Sequence, residues 1–227
     1  MRNHLIILIV ILFIRTGNDV YGQKIVQKKN LSFSLGMGIV YLSSPSFTDF
    51  LKNEIPYFTS DSIKTYSAGV EFFGSLEYEY TKSISASFDY SYYLRSSNYT
   101  FSYYVFDYTI TSHQPSIMVY YNLNYTGFKF KMGAGGGYHF HSLVNNINAS
   151  NKESYSANGG SIRAEFMFAP ALSNKLAAYV SVFYTGNFTS SLKNSDGVTL
   201  KSSSTGKEVN LGSYGPGARL GFTFLLN

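Results

Sequence analysis

The chain has 227 residues, 44% of them apolar and only 14% charged, a composition that can bury a core and excludes a disordered chain. Eighteen Lys and Arg against 13 Asp and Glu give a net charge of +5, but the basic residues are dispersed, so no nucleic-acid partner is expected. Cysteine is absent, which excludes disulfides, thiolate metal sites and a lipoprotein anchor.

The first feature in chain order is the apolar run Leu5 to Ile14, well short of the roughly 20 residues a membrane helix needs. Arg2 and His4 precede it, and Val20-Tyr21-Gly22 offers small residues for cleavage before Gln23. This predicts a secretory signal peptide over 1–22, a short N-terminal periplasmic segment over 23–30 and one domain over 31–227.

From Leu31 onward, segments with every second residue apolar alternate with polar stretches, and period two means strands. The first carries Leu31, Phe33, Leu35, Met37, Ile39 and Tyr41 on one face. The second sets Tyr66, Val70, Phe72, Leu76, Tyr78 and Tyr80 opposite Glu71, Glu77 and Glu79, and the third sets Ile84, Phe88, Tyr90, Tyr92 and Leu94 opposite Ser85, Ser87 and Asp89. In a fourth, Tyr104 to Tyr121, the apolar parity changes between Ile110 and Ile117, and Pro115 cannot donate to a ladder. A bulge is expected there, or else a strand of which only the second half spans a membrane. Four more follow: Phe128 to Phe140, Ile162 to Phe168, Leu176 to Tyr184 and Leu220 to Leu226.

The gaps are expected at Ser43 to Lys64, Thr81 to Ser83, Ser96 to Tyr103, Asn122 to Gly127, Ser142 to Gly160, Ser173 to Lys175 and Asn187 to Glu208. Long and short connections alternate, as in an all-β, eight-stranded antiparallel up-and-down transmembrane barrel. A soluble ligand-binding barrel has the same period with the faces exchanged, so the charges decide. Glu71, Glu77, Glu79, Asp89, Lys129, Lys131, Arg163, Glu165 and Arg219 all oppose the apolar face. A lipid-facing Lys or Arg costs roughly 2–4 kcal/mol at the midplane, so these nine are assigned to the lumen as a charge network. The Phe- and Tyr-rich face is assigned to lipid, with Tyr41, Tyr66, Tyr78, Tyr80 and Tyr138 as interfacial belts.

On these residues the chain resembles the small OmpA/OmpX-type outer-membrane β-barrel proteins. Its end, Arg219-Leu220-Gly221-Phe222-Thr223-Phe224-Leu225-Leu226, is similar to the family's terminal insertion signal, with Arg219, Gly221, Phe224 and Leu226 in the matching places and Asn227 where many members end in Phe. The resemblance implies export to the outer membrane of a Gram-negative bacterium. It also implies outer-membrane lipid and lipopolysaccharide, the barrel-insertion machinery and periplasmic chaperones as partners.

Sites of chemistry are sparse. Gly133, Gly135, Gly136 and Gly137 are not followed by the Lys-Ser or Lys-Thr of a phosphate loop and are read as relief of crowding on a strand. His139 and His141 share a face but lack an evident third metal ligand. His139 near Ser142 is similar to the pair used by outer-membrane lipid A deacylases, without the extended motif. No catalytic residue, metal site or cofactor is assigned. The expected function is a non-enzymatic barrel acting structurally or through long outer loops, where the stretch Phe47 to Phe58 could meet a partner; the alternatives are a narrow channel or a lipid A-modifying enzyme.

Overall fold

The computed structural model describes residues 30–54, 66–101, 104–147 and 151–226, so the expected signal peptide, most of the 23–30 segment and Asn227 lie outside it. Eight strands follow one another: β1 (Leu31–Ser43), β2 (Tyr66–Glu79), β3 (Ile84–Phe101), β4 (Tyr104–Tyr125), β5 (Phe128–Ile147), β6 (Asn151–Pro170), β7 (Leu176–Thr189) and β8 (Ser213–Leu226). Each pairs antiparallel with the next, and β8 closes on β1, so the wall is continuous, and only above it are β3 beyond Leu94 and β6 before Gly159 paired to a strand on one side. The partners Phe33, Leu76, Phe88, Ile117, Gly136, Ile162, Gly186 and Tyr214 lead once around the barrel and return to β1 at Ser43, ten residues from the start. That stagger obliges the strands to tilt, which sets a bore that side chains can fill.

One end is built of tight connections. Thr126 and Gly127 alone join β4 to β5, and Gly127 adopts a positive φ of 88°, which the missing Cβ allows. At the other end two of the expected long loops are absent. β5 runs on to Ile147 and β6 begins at Asn151, so the gap expected at Ser142 to Gly160 is mostly paired strand, and the gap at Ser96 to Tyr103 likewise becomes the tip of a β3–β4 hairpin. β3 to β6 therefore rise above their neighbours as a four-stranded lobe.

The bulge expected at Pro115 does not occur. His113 pairs with Phe140 and Ser116 with Gly137 in one unbroken register, and only Gln114 and Pro115 drop out of the ladder toward β5. Toward β3 the ladder continues through Tyr90 and Pro115. A lost backbone hydrogen bond costs about 0.5–1.5 kcal/mol, too little to shift a register held on both sides. The change of parity has another cause. Ile117, Val119 and Tyr121 point outward from the barrel wall, whereas Tyr108 and Ile110 point inward, 4% exposed, where the strand has risen into the lobe.

The glycines of β5 make room for its neighbour. A Cβ on Gly133 would lie 2.3 Å from the Tyr120 ring, and one on Gly135 would meet the Ile117 carbonyl oxygen and Met118. Gly133→Val should therefore destabilise the barrel by about 1–3 kcal/mol through overpacking, read as a lower urea midpoint in detergent; an unchanged midpoint would deny that the cluster serves packing. At the closing seam Gly36 and Gly221 face each other, and a Cβ on either would lie about 2 Å from a carbonyl oxygen of the partner strand.

Candidate functional site

Outside, a belt of exposed apolar side chains rings the wall: Phe33, Leu35, Met37 and Ile39 on β1, Phe72 and Leu76 on β2, Phe88 on β3, Ile117 and Val119 on β4, and their counterparts on the other strands. Tyr41, Tyr78, Tyr80 and Tyr138 are exposed among them, and the side chain of Tyr66 lies outside the described set. No helix among the described residues is long and apolar enough to cross a membrane; this belt is a surface for crossing with strands.

Inside, all nine expected charges face the lumen, five in one network and four in two separate pairs. Arg219 lies at the centre, 1% exposed: its Nε and Nη2 donate to the two Glu71 carboxylate oxygens at 2.9 and 2.7 Å, and Nη2 also donates to Ser91 at 2.8 Å. Asp89 and Glu165 stand 3.8 and 3.7 Å from its Nη1. Arg163 joins Glu71 at 3.3 Å. The rings of Phe73 and Phe183 flank the Arg219 guanidinium at 4.7 and 4.9 Å. The carboxylates are held in turn, Asp89 by the hydroxyls of Ser75 and Ser87, and Glu165 by those of Tyr120 and Tyr179. Two further pairs lie toward the tight-turn end, Lys131 with Glu77 at 2.6 Å and Lys129 with Glu79. They border a vestibule of about 250 Å³ at that end, walled by Asn124, Phe128 and Thr223 among others.

The lumen is not solely ionic, as the sequence reading had it. Phe73, Met118, Tyr120, Met167 and Tyr179 form an apolar layer within it, and Val40, Leu42, Tyr93 and Phe183 form a second. Phe73, Tyr93 and Met167 share the inward parity of Glu71, Asp89 and Glu165 on their strands, whereas β1, β4 and β7 carry no inward acid to mark the others.

The far mouth is corked. The gap expected at Ser43 to Lys64 contains the helix α1 (Pro45–Glu54), begun by Ser44, whose carbonyl accepts from Thr48 N, and by Pro45, whose ring suits a first helical turn. Phe47, Phe50 and Leu51, spaced for one helical face, turn down into the barrel. They pack on Tyr108, Ile110 and Leu143 of the lobe and on Leu192, Val209 and Leu211 of the segment between β7 and β8. Phe47 meets Tyr108 edge-on at 5.7 Å. Phe47 and Phe50 are thus buried in the cork and not displayed on a solvated loop, while Ile55, Tyr57 and Phe58 lie outside the described residues. A clasp holds the helix end: Glu54 accepts from Ser202 Oγ at 3.0 Å and from Ser203 N and Oγ at 2.6 Å each. Burial pushes the Glu54 pKa up, but these hydrogen bonds outweigh it and hold the carboxyl below its ordinary value.

No protein-family model and no curated protein matches the sequence. Solved structures do. Neisserial surface protein A (NspA) superposes with a TM-score of 0.52 at 10% identity, over 86% of this chain and 97% of that one. OprG from Pseudomonas aeruginosa gives 0.52 at 12% identity over 91% and 98%, and Ail, the attachment invasion locus protein of Yersinia pestis, gives 0.51 at 10% identity over 87% and 99%. The fold is that of a small outer-membrane β-barrel protein.

In such a barrel the change of pattern along β3 to β6 marks where lipid ends. Below, rings face out and ions face in; in the lobe Tyr108, Ile110, Leu143 and Ala157 face in, while the other face carries Ser96, Asn98, Thr109 and Asn158. Of the terminal signal, Arg219 and Gly221 face the lumen and the closing seam, and Phe224 and Leu226 join the outer belt.

The histidines are placed together but not with Ser142. His139 and His141 are both buried with ring centroids 4.4 Å apart, whereas Ser142 takes the opposite face of β5, so the hydroxyl is out of reach of either imidazole. Among the described residues no three His, Asp or Glu gather as a metal-holding group. Arg95 was missed. It is 6% exposed, its guanidinium lies 5.8 Å from the Phe47 ring, and its parity with Asp89 and Ser91 on β3 was the available signal.

Proposed function

We propose that this chain is an integral outer-membrane protein that neither conducts nor catalyses, and that acts structurally or through surface contacts of its outer lobe. The observation that carries the reading is a lumen blocked in series by the Lys131–Glu77 pair, the Arg219 network and the apolar cork. Eight strands leave a bore that side chains alone can fill, and here ionic and apolar layers both occupy it. The tight-turn end is assigned to the periplasm and the lobe, α1 and the 190–212 segment to the outside, in the usual sense of such barrels. The exposed polar face of the lobe, with Lys152, Glu153 and Lys193 beside an open groove of about 510 Å³, is the surface offered for contact. Two of the similar structures carry names that speak of the cell surface and of attachment, which agrees with this reading.

Refolded into planar bilayers, the protein should show no steady conductance across the range of salt and voltage in which open barrels conduct. On intact cells, protease should reach the lobe and leave the wall untouched. Stable, ion-selective single-channel steps from the unmodified chain would overturn the sealed-barrel reading.

A further inference from the structure

Between the Arg219 network and the cork lies a small cavity of about 20 Å³, lined among others by Tyr93, Gln114, His141, Arg163, Thr185 and Asn187. A water needs roughly 10–15 Å³ of such space, so the cavity has room for one occupant of about that size, a single water or a monatomic ion. The polar atoms around it are short of partners: Arg163 Nε and Nη1, the Tyr93 hydroxyl, both ring nitrogens of His141 and Asn187 Oδ1 make no hydrogen bond. Their side chains are each more than nine-tenths buried, so bulk water does not serve them.

The unpartnered groups are mostly donors. The two Arg163 nitrogens and the Tyr93 hydroxyl each offer a hydrogen, and His141 carries at least one N–H, against the single carbonyl of Asn187 and any bare imidazole nitrogen. Glu71, the carboxylate lining the cavity, is already bound by Arg219 and Arg163, and Arg95 on the cork side has no carboxylate within ion-pair distance among the described residues. A water would offer two lone pairs and no charge to at least four donors. A divalent cation between the two histidines would sit against the guanidinium of Arg163 and near that of Arg95.

We propose that this chamber binds one dehydrated halide ion, with Arg163, Tyr93 and His141 as its donors. The ion would give Arg163 an acceptor for its free nitrogens on the mouth side of the lumen, where Arg95 has no acid within ion-pair distance among the described residues. Charged hydrogen bonds of this kind are the stronger class, so loss of one donor should be visible.

The test uses the full barrel refolded in detergent. Crystals grown in sodium bromide should show a bromine anomalous peak within hydrogen-bonding reach of Arg163 Nε and Tyr93 Oη. In solution, the urea midpoint should rise with sodium chloride relative to sodium gluconate at equal ionic strength, in a saturable way. Tyr93→Phe removes one donor and keeps the ring, and should weaken the halide dependence about tenfold while the protein still folds. No bromine peak together with identical midpoints in the two salts would overturn the proposal in favour of an ordinary buried water. A zinc or nickel anomalous peak between His139 and His141, abolished by His139→Ala, would overturn it in favour of a cation site.

Discussion

Arg219→Met should destabilise the barrel by about 3–5 kcal/mol, measured as a lower urea midpoint in phospholipid vesicles. The side chain is fully enclosed, and it alone stands between Glu71, Asp89 and Glu165. Its removal leaves three carboxylates facing one another with only Arg163 nearby, in a bore where uncompensated charge is expensive. The neighbouring rings of Phe73 and Phe183 give methionine an apolar bed, so the loss reads on charge rather than on a void. A companion triple variant, Arg219→Met with Asp89→Asn and Glu165→Gln, should recover much of the loss, because it neutralises the acids that would be left unpaired and keeps the Arg163–Glu71 pair. Equal loss in the single and triple variants would show that Arg219 matters as volume and not as counter-ion.

The second large effect is expected at the cork. Phe47→Ala removes a ring 3% exposed that touches Phe50, Tyr108 and the Arg95 guanidinium, and truncations of this kind cost about 3–5 kcal/mol. The helix α1 is joined to the wall chiefly through this cluster and the Glu54 clasp, so the loss should appear as local opening. Amide exchange over 45–54 should quicken by a hundredfold or more, on the scale of tenfold per ~1.4 kcal/mol, while the barrel keeps its heat-modifiable gel migration. If the urea midpoint of the whole barrel instead falls by the same free energy, cork and wall are a single cooperative unit. Conductance should stay closed in this variant, since the Arg219 network and the Lys131–Glu77 pair still stand below.

The two variants probe the two solutions that one chain uses for its inward face. Where lipid surrounds the wall, the interior holds ion pairs, because no other place in the span tolerates Glu77, Lys131 or Arg163. Where the wall has risen clear of lipid, the interior closes over Tyr108, Leu143 and Leu192, as in any water-soluble domain. Phe47 bridges both regimes, with a ring edge in the apolar cluster and a face toward Arg95. The lobe is therefore a small apolar core, closed as in a water-soluble domain, mounted on a membrane barrel.

The period of two along each strand is a local property, and it was legible wherever one face met lipid: Phe33, Leu35 and Met37 against Ser32, Ser34 and Gly36, or Phe222 and Phe224 against Arg219 and Gly221. From that pattern the strand number, the closure, the outward rings and the inward direction of nine charges all followed, because only a closed sheet satisfies its backbone in hydrocarbon. Above the lipid the same period carried the opposite meaning. Tyr108 and Ile110 looked like a shift of register beside Pro115, when the backbone had kept its register and the surroundings had changed. The spacing of Phe47, Phe50 and Leu51 after Ser44 and Pro45 did encode a helix, hidden within a stretch read as loop because its polar residues dominate the composition.

What the sequence determined by itself was which side chains share a face and what each face must avoid, since alternation and the cost of a charge in lipid act residue by residue. Which acid meets which base, that Arg95 faces no acid among the described residues, and that the mouth is filled by a helix were decided only by the tertiary structure. Those outcomes depend on a ten-residue stagger around eight strands, which brings together residues as distant as Glu71 and Arg219 or Glu54 and Ser203, and no local pattern records it.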